Sequence, residues 1–285
     1  MKLLLGHIEY SNCFPIHALL VDGEVAPGAG GARATRSALD VELRAGIPSF
    51  LNAELAAGRV DVAPSSSIEY ARHADRYRLL PDLVIGSDGP VESIVFECDR
   101  PPTALDGCDV AVPTASATSV VLLRILLELR LGVRPRYRWF DQAAEADPIA
   151  RGAAGALRIG DAALRRPPVP GRTQLDLGAA WREWTGLPFA FAVWQVSAGA
   201  DKDPALRALH ALLLQSRAYF EANVDALARR NASRYGIAPD RLARYWRGLE
   251  FHLDDRMAQG LLHFYRLAAE LREVPAVPAL HWIPA

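Results

Sequence analysis

Four hydroxyl side chains share one short turn within residues 109–132, between an apolar β-type run and a strongly apolar helix: Thr114, Ser116, Thr118 and Ser119. The turn carries no charged residue. Serine and threonine at the start of a helix can cap its free backbone N–H groups. They can also leave those groups free and bind an anion together with them, because the helix dipole favours negative charge there. The sequence leaves both interpretations open.

Uncharged polar side chains also accompany three other predicted strands. Asn12 follows the apolar strand at Leu3–Ile8, Ser66 ends a short strand that starts at Val60, and Ser93 lies early in an alternating strand. Ligands of α/β sheets bind beyond the carboxyl ends of the strands. If these side chains converge on one cleft, they suit a small carboxylate, with about 1.5–3 kcal/mol from each charge-assisted hydrogen bond. For Asn12, hydrogen bonding to the local backbone of a turn is the alternative.

Metal and nucleotide chemistry find no support in the sequence. There is no HExxH motif, no GxSxG motif and no Walker loop, and the three cysteines have no metal-ligand spacing. The histidines are scattered singly, so we interpret His7 and His17 as structural groups. Residues 23–33 are rich in glycine but lack the Lys-Ser/Thr ending of a phosphate loop, which favours a surface loop. We therefore expect neither a metal nor a cofactor.

The composition limits the partners of the chain. It has 285 residues, of which 51% are hydrophobic and 23% are charged. The formal net charge is -1, so the chain has no positive electrostatic field that would attract nucleic acid or an anionic membrane. The apolar run at the N-terminus is too short for the core of a signal peptide, and no apolar stretch approaches the length of a membrane-spanning helix. We expect a cytoplasmic protein with a small-molecule substrate. The sequence leaves the oligomeric state open.

Strands that alternate with helices predict an α/β architecture, followed by a mostly helical C-terminal part. Asp203 is expected to cap the first of those last helices, and two more are predicted near residues 239–248 and 255–271. Asp161 is predicted to be the N-cap of a short helix after the strand at residues 156–159.

Two extended runs, residues 92–98 and 188–196, are the natural candidates for paired crossings between two lobes. One lobe then comprises residues 1–92 and 195–285, and the other comprises residues 93–194. The active site is expected in the cleft between them.

Six segments agree, in order and spacing, with one known family: GHIEYSNCFPI, VDVAPSSSIEYAR, GSDGPVESIVF, ASATSVVLLRILL, LRIGDAAL and DLGAAWREWTGLPFAFAVW. The chain resembles the chorismate dehydratases of the futalosine route to menaquinone. The resemblance implies a two-lobed type II periplasmic-binding-protein-like fold with two crossover strands and C-terminal helices. It also implies conversion of chorismate to 3-[(1-carboxyvinyl)oxy]benzoate with loss of water.

The resemblance also implies roles for the polar residues. Asn12 and Ser93 correspond to catalytic positions that orient the departing hydroxyl. Because both are neutral, our hypothesis is that the enolpyruvyl carboxylate of the substrate takes the proton, with a side chain of the protein as the alternative. The remaining candidates are expected to bind substrate in the cleft: Ser66, Ser116, Thr118, Ser119 and Asp161.

Two alternative functions stay open from the sequence. The 1,4-dihydroxy-6-naphthoate synthases of the same pathway have a Ser-Pro-Cys-Pro-Asn-Asp type of N-terminal signature, from which residues 10–15 of this chain depart. A binding protein for a small carboxylate, without catalysis, would share the fold.

Overall fold

A computed structural model of the chain describes residues 2–22, 39–197, 199–200 and 204–283. Within these residues the strands form two five-stranded sheets. The first sheet has the order β2-β1-β3-β10-β4 and consists of β1 (Leu3–Ile8), β2 (Val41–Gly46), β3 (Val62–Ser66), β4 (Tyr77–Ser87) and β10 (Phe189–Ser197). The second has the order β7-β6-β8-β5-β9 and consists of β5 (Ile94–Cys98), β6 (Asp109–Pro113), β7 (Arg136–Phe140), β8 (Gly155–Ile159) and β9 (Thr173–Asp176).

The two sheets repeat one pattern of strand directions. In the first sheet β1 is parallel to β2 and β3, and β10 runs antiparallel to β3 and β4. In the second sheet β6 is parallel to β7 and β8, and β5 runs antiparallel to β8 and β9. Because the carboxyl ends of parallel strands lie at one edge of a sheet, the polar turns after β1 and β3 are neighbours. The turns after β6 and β8 are neighbours for the same reason.

The helices cover the faces of the sheets and form most of the C-terminal part. They are α1 (Phe14–Val21), α2 (Pro48–Ala56), α3 (Ser67–Arg72), α4 (Thr118–Arg124, continued by a π-helical segment Ile125–Arg130), α5 (Gly160–Arg165), α6 (Leu177–Thr185), α7 (Pro204–Tyr235), α8 (Pro239–Arg247) and α9 (Asp255–Glu270). α7 is kinked at Asn223, whose backbone is not helical. No helix among the described residues combines the length and the apolar character that crossing a membrane requires.

The chain passes between the sheets twice, at residues 88–93 and 186–188. Both passages leave the first sheet side by side, because Ser87 at the end of β4 pairs with Phe189 at the start of β10. The two extended runs expected to form paired crossings do not pair with each other. The strand in residues 92–98 belongs to the second sheet and the strand in residues 188–196 to the first.

Other predictions from the sequence meet the structure in different ways. The strand at Leu3–Ile8 is confirmed, as are the helices predicted near residues 239–248 and 255–271. The prediction that Asp161 is an N-cap is wrong: α5 begins at Gly160 after an Ile159 N-cap, and the Asp161 side chain bonds elsewhere. Residues 23–33 and Asp203 lie outside the described residues.

Gly260 lets α9 pack directly on the chain that enters β10. A Cβ atom at Gly260 would collide with the backbone oxygen of Pro188. We expect Gly260→Ala to lower the free energy of unfolding by about 1–3 kcal/mol, because the helix must move away from the sheet. Urea unfolding measures the change. Gly248→Ala is the control, because its Cβ would lie 3.4 Å from the nearest backbone oxygen, and equal stabilities of the two variants would contradict the prediction.

Candidate functional site

A cavity of about 450 Å³ lies between the two sheets, where the turns after β1, β3, β6 and β8 meet. The lining comes from both sheets and is mostly apolar with a few neutral polar groups: Ile8, Tyr10, Asn12, Pro48, Ser66, Ile85, Ile94, Ser116, Ser119, Ile159, Gly160, Phe191 and Ala192. This composition is typical of small-molecule sites. The structure therefore brings Asn12, Ser66, Ser116 and Ser119 to one cavity.

Asn12 offers this cavity an unused hydrogen-bond acceptor. It lies in the 3-10 turn Ser11–Cys13 between β1 and α1. Its Oδ1 atom is buried and has no hydrogen-bond partner among the described residues. A buried amide oxygen without a partner is unfavourable in the free protein, and a ligand hydroxyl that donates to it would remove that cost.

The turn that carries Asn12 is held from two sides. The Asp161 carboxylate accepts hydrogen bonds from the Ser11 backbone N–H at 3.1 Å and from the Ser11 hydroxyl at 2.5 Å. The Trp246 indole N–H donates to the Ser11 carbonyl oxygen at 2.8 Å. Burial raises the pKa of Asp161, while the bonds from Ser11 lower it. Asp161 thus fixes the Asn12 turn from the side of the second sheet and is not among the residues that line the cavity.

The hydroxyl turn after β6 caps a helix and also borders the cavity. The Ser116 hydroxyl accepts from the Ser119 backbone N–H at 3.3 Å and donates to the Ser119 hydroxyl at 3.0 Å. Ser116 therefore caps α4 and lines the cavity at the same time. Thr118 is used differently, because its hydroxyl accepts from the Ile68 N–H at 3.2 Å and joins α4 to α3 across the cleft.

Ser66 reaches the cavity from the first sheet. The Asn52 side-chain oxygen accepts from the Ser66 N–H at 3.2 Å, and the Gln195 amide donates to the Ser66 carbonyl oxygen at 3.0 Å. These two bonds fix the backbone at the end of β3. Ser66 lines the same cavity as Ser116 and Ser119 of the hydroxyl turn.

Ser93 lies directly before Ile94, one of the lining residues, and is itself fully buried outside the lining. Its hydroxyl oxygen accepts from the Tyr245 hydroxyl at 2.9 Å. Burial raises the pKa of Tyr245, so this phenol stays protonated as the donor. Because Ser93 Oγ accepts the tyrosine proton, its own proton is left to donate to another group.

Tyr10 and the apolar lining were not predicted as site residues. Burial, followed by the nearby Asp161, raises the pKa of Tyr10 to about 12, so its hydroxyl is neutral. Gly160 has a φ of 67°, and a Cβ there would lie 2.9 Å from the Tyr10 ring. The small residue thus makes room for the ring. Its position in the sequence could have indicated this role, because Tyr10 follows β1 just as Asn12 does.

His7, Cys13 and His17 form a buried cluster close to the Asn12 turn. The two histidine Nδ1 atoms are 2.9 Å apart, and the cysteine sulfur lies 3.7 Å from each. The Trp194 indole donates to His17 Nε2 at 3.2 Å, so the proton of the neutral His17 ring is on Nδ1 and is donated to His7. A metal ion would need the Nδ1 lone pair that this proton occupies. The cluster is therefore a neutral hydrogen-bonded chain.

This histidine chain makes stability depend on pH. Burial, followed by the charge of Arg234, lowers the pKa of His7 to about 4, and burial lowers the pKa of His17. The unfolded chain protonates histidine below about pH 6.5, whereas folded His7 stays neutral until about pH 4, so acid favours the unfolded state. We expect the stability that is present above pH 6.5 to fall as the pH drops toward 4, by about 2 kcal/mol from His7 alone at about pH 5.

Urea unfolding at about pH 7.5 and about pH 5 measures this loss. A His7→Gln variant cannot titrate at this position, so its loss should be about 2 kcal/mol smaller. Equal losses in the two proteins would mean that His7 is not the source.

Comparison with known proteins extends these observations. A family model described as menaquinone biosynthesis matches residues 3–270. A chorismate dehydratase from Thermus thermophilus is 30% identical over 295 residues, which cover 98% of each chain. A chorismate dehydratase from Campylobacter jejuni is 31% identical over 190 residues, 67% of this chain and 66% of the relative.

Solved structures share the fold at lower sequence identity. A protein from Archaeoglobus fulgidus superposes with a TM-score of 0.73 at 20% identity, covering 96% of this chain and 98% of its own. The periplasmic aliphatic sulphonate binding protein of Escherichia coli superposes with a TM-score of 0.67 at 13% identity, covering 100% of this chain and 92% of its own. The architecture is thus the two-lobed periplasmic-binding-protein fold expected from the sequence. With the family match spanning nearly all of its length, the chain belongs to the menaquinone biosynthesis family.

Proposed function

We propose that the chain is a hydro-lyase that converts chorismate to 3-[(1-carboxyvinyl)oxy]benzoate and water. The observation that carries the proposal is the cavity between the sheets, where the buried Asn12 oxygen has no partner and the other polar lining residues are neutral. The chorismate dehydratases similar to this chain supply the identity of the substrate. The lobes were expected to comprise residues 1–92 with 195–285, and 93–194. We further propose that each sheet belongs to one lobe, so that the first lobe also includes residues 189–194 of β10, and that the enzyme acts in the cytoplasm.

In this reaction the main task of the protein is to orient the reacting groups of the substrate. A proton leaves the ring carbon that bears the enolpyruvyl ether, and the electrons of that C–H bond form a ring double bond. The neighbouring C–O bond breaks, and its hydroxyl leaves as water with a proton. The ring becomes aromatic, which drives the reaction, so holding the reacting groups in place is the main contribution that remains.

Asn12 and Ser93 are the residues proposed to act on the departing hydroxyl. The Asn12 oxygen accepts the hydroxyl proton in a hydrogen bond, and the free proton of Ser93 is donated toward the hydroxyl oxygen as it leaves. None of the described residues that line the cavity carries a carboxylate or an imidazole. That lining supports the enolpyruvyl carboxylate of the substrate as the base.

The hydroxyl turn after β6 is proposed to bind a substrate carboxylate through Ser116 and Ser119 at the start of α4, with Ser66 opposite. A negative charge there is favoured by the helix dipole and by charge-assisted hydrogen bonds. Thr118 and Asp161 are proposed to hold the two lobes together around the bound substrate. Their hydrogen bonds to Ile68 and Ser11 support this role.

One assay separates the candidate functions. The purified protein is incubated with chorismate and, separately, with cyclic dehypoxanthinyl futalosine, and both mixtures are compared with protein-free controls by mass spectrometry. An aromatic product that has lost one water from chorismate is the expected result. Consumption of the futalosine derivative would indicate the synthase, and binding of chorismate without turnover would indicate a receptor.

A further inference from the structure

A second cavity, of about 840 Å³, lies on a face of the second sheet away from the substrate residues. Strands β5, β8 and β9 form its floor, and the segment after α5 and the start of α8 form its walls. Three arginines line it: Arg158, Arg166 and Arg241. The proposed dehydration uses none of them.

Arg158 is the unusual member of this group. It is 6% exposed, and its Nε and Nη2 atoms are buried without a hydrogen-bond partner among the described residues. The nearest anionic atoms are Glu97 Oε2, 3.5 Å from Nε, and Asp147 Oδ1, 3.9 Å from Nη2. Two of the three guanidinium nitrogens therefore lack a hydrogen-bond acceptor, which is costly for a buried charged group.

Other groups already occupy the neighbouring carboxylates. Arg166 Nε donates to both Glu97 oxygens at 3.0 and 3.1 Å, and Gln174 donates to the same carboxylate at 3.1 Å. Arg172 donates to both Asp147 oxygens at 2.9 Å. These bonds leave Arg158 as the guanidinium without an acceptor in the cluster.

The charges that line this cavity balance. Arg158, Arg166 and Arg241 contribute three positive charges, and Glu92, Glu97 and Asp176 contribute three negative charges. Burial, followed by the charge of Arg166, lowers the pKa of Arg158.

We propose that this cavity binds the oxyanion of a small molecule, a carboxylate or phosphate group, through Arg158 in the floor and Arg241 in the wall. The ligand supplies the acceptor that Arg158 Nε and Nη2 lack. Arginine suits this role, because its planar fork of donors matches carboxylate and phosphate oxygens. The proposal does not depend on the dehydratase activity.

The site is adjacent to the substrate cavity through two strands. Arg158 pairs with Val95 in the β5–β8 ladder, and the next pair, Ile94 with Ile159, lines the substrate cavity. A test must therefore distinguish the two cavities. Ser119 lines only the substrate cavity, where it is proposed to hold a carboxylate, so Ser119→Ala is the matched control.

Isothermal titration calorimetry in chloride buffer tests the proposal with inorganic phosphate and with benzoate as probes. We expect saturable binding of at least one probe, and the probe that binds identifies the source of the oxyanion. Arg158→Met should weaken binding by about tenfold or more. Arg241→Met should weaken it less, and Ser119→Ala should not change it.

Three outcomes would overturn the proposal. Neither probe binds to the wild-type protein in the millimolar range, or both arginine variants bind as the wild type does, or Ser119→Ala abolishes binding. If Arg158→Met does not fold, the Arg241→Met variant decides, because Arg241 lies in the wall and makes no ion pair within the Glu97 and Asp147 cluster.

Discussion

Asn12→Ala is expected to lower kcat/KM for chorismate by about a hundredfold or more and to change the free energy of unfolding by less than about 0.5 kcal/mol. The amide is proposed to hold the departing hydroxyl, so its loss removes the orientation on which elimination depends. Stability is spared because the buried Asn12 oxygen has no partner to lose. Steady-state kinetics with chorismate and urea unfolding measure the two quantities.

Asn223→Ala is the control for this substitution. The Asn223 side chain donates to the Tyr219 carbonyl oxygen at 2.8 Å within α7, and it does not line the substrate cavity. Its turnover should equal that of the wild type. Wild-type turnover in Asn12→Ala would remove Asn12 from the mechanism, and a loss of turnover in step with a loss of folded protein would reduce Asn12 to a structural residue.

Ser93→Ala is expected to lower kcat by about tenfold to a hundredfold with a small effect on KM, because its hydroxyl is proposed to act as the bond to the leaving group breaks. It should also cost about 1–3 kcal/mol of stability. The substitution leaves the fully buried Tyr245 hydroxyl without its acceptor.

A double variant separates these two effects. Ser93→Ala with Tyr245→Phe removes both hydroxyls, so no buried donor is left unpaired and stability should recover. Turnover should stay low, because the Ser93 proton is still missing. Recovery of turnover together with stability would mean that Ser93 acts only by supporting the fold.

The sequence predicted those parts of the site that depend on local pattern. Asn12, Ser66 and Ser116 each follow or end an apolar strand, and parallel strands bring such positions to one edge of a sheet. The strand at Leu3–Ile8 was predicted for the same local reason, its continuous apolar run. Tyr10 shares this position with Asn12, but an aromatic side chain in a turn is ordinary, so it was not singled out.

Contacts between distant segments could not be predicted. Ser93 and Tyr245 are 152 residues apart, and no local pattern indicates that a C-terminal helix would reach the start of β5. Asp161 has the sequence of an N-cap, but the left-handed turn at Gly160 starts the helix one residue earlier, and the carboxylate bonds to Ser11 instead.

The arginine cluster was missed for a related reason. Strand β9 (Thr173–Asp176) lies at the edge of the second sheet. Its apolar and polar residues alternate too weakly for a strand to be recognised after the proline-rich residues 167–170. Without that strand, Gln174 has no defined neighbour. Only the folded sheet places Gln174 beside Glu97 and reveals that Arg158 lacks an acceptor.

The most direct measurement is a crystal structure of the Asn12→Ala variant with chorismate, because this variant should retain the substrate. The ring is expected between the two sheets, with one carboxylate on Ser116 and Ser119 at the start of α4 and the ring hydroxyl toward the position of the missing amide. Chorismate bound elsewhere on the protein, or absent from the cavity at saturating concentration, would contradict the account.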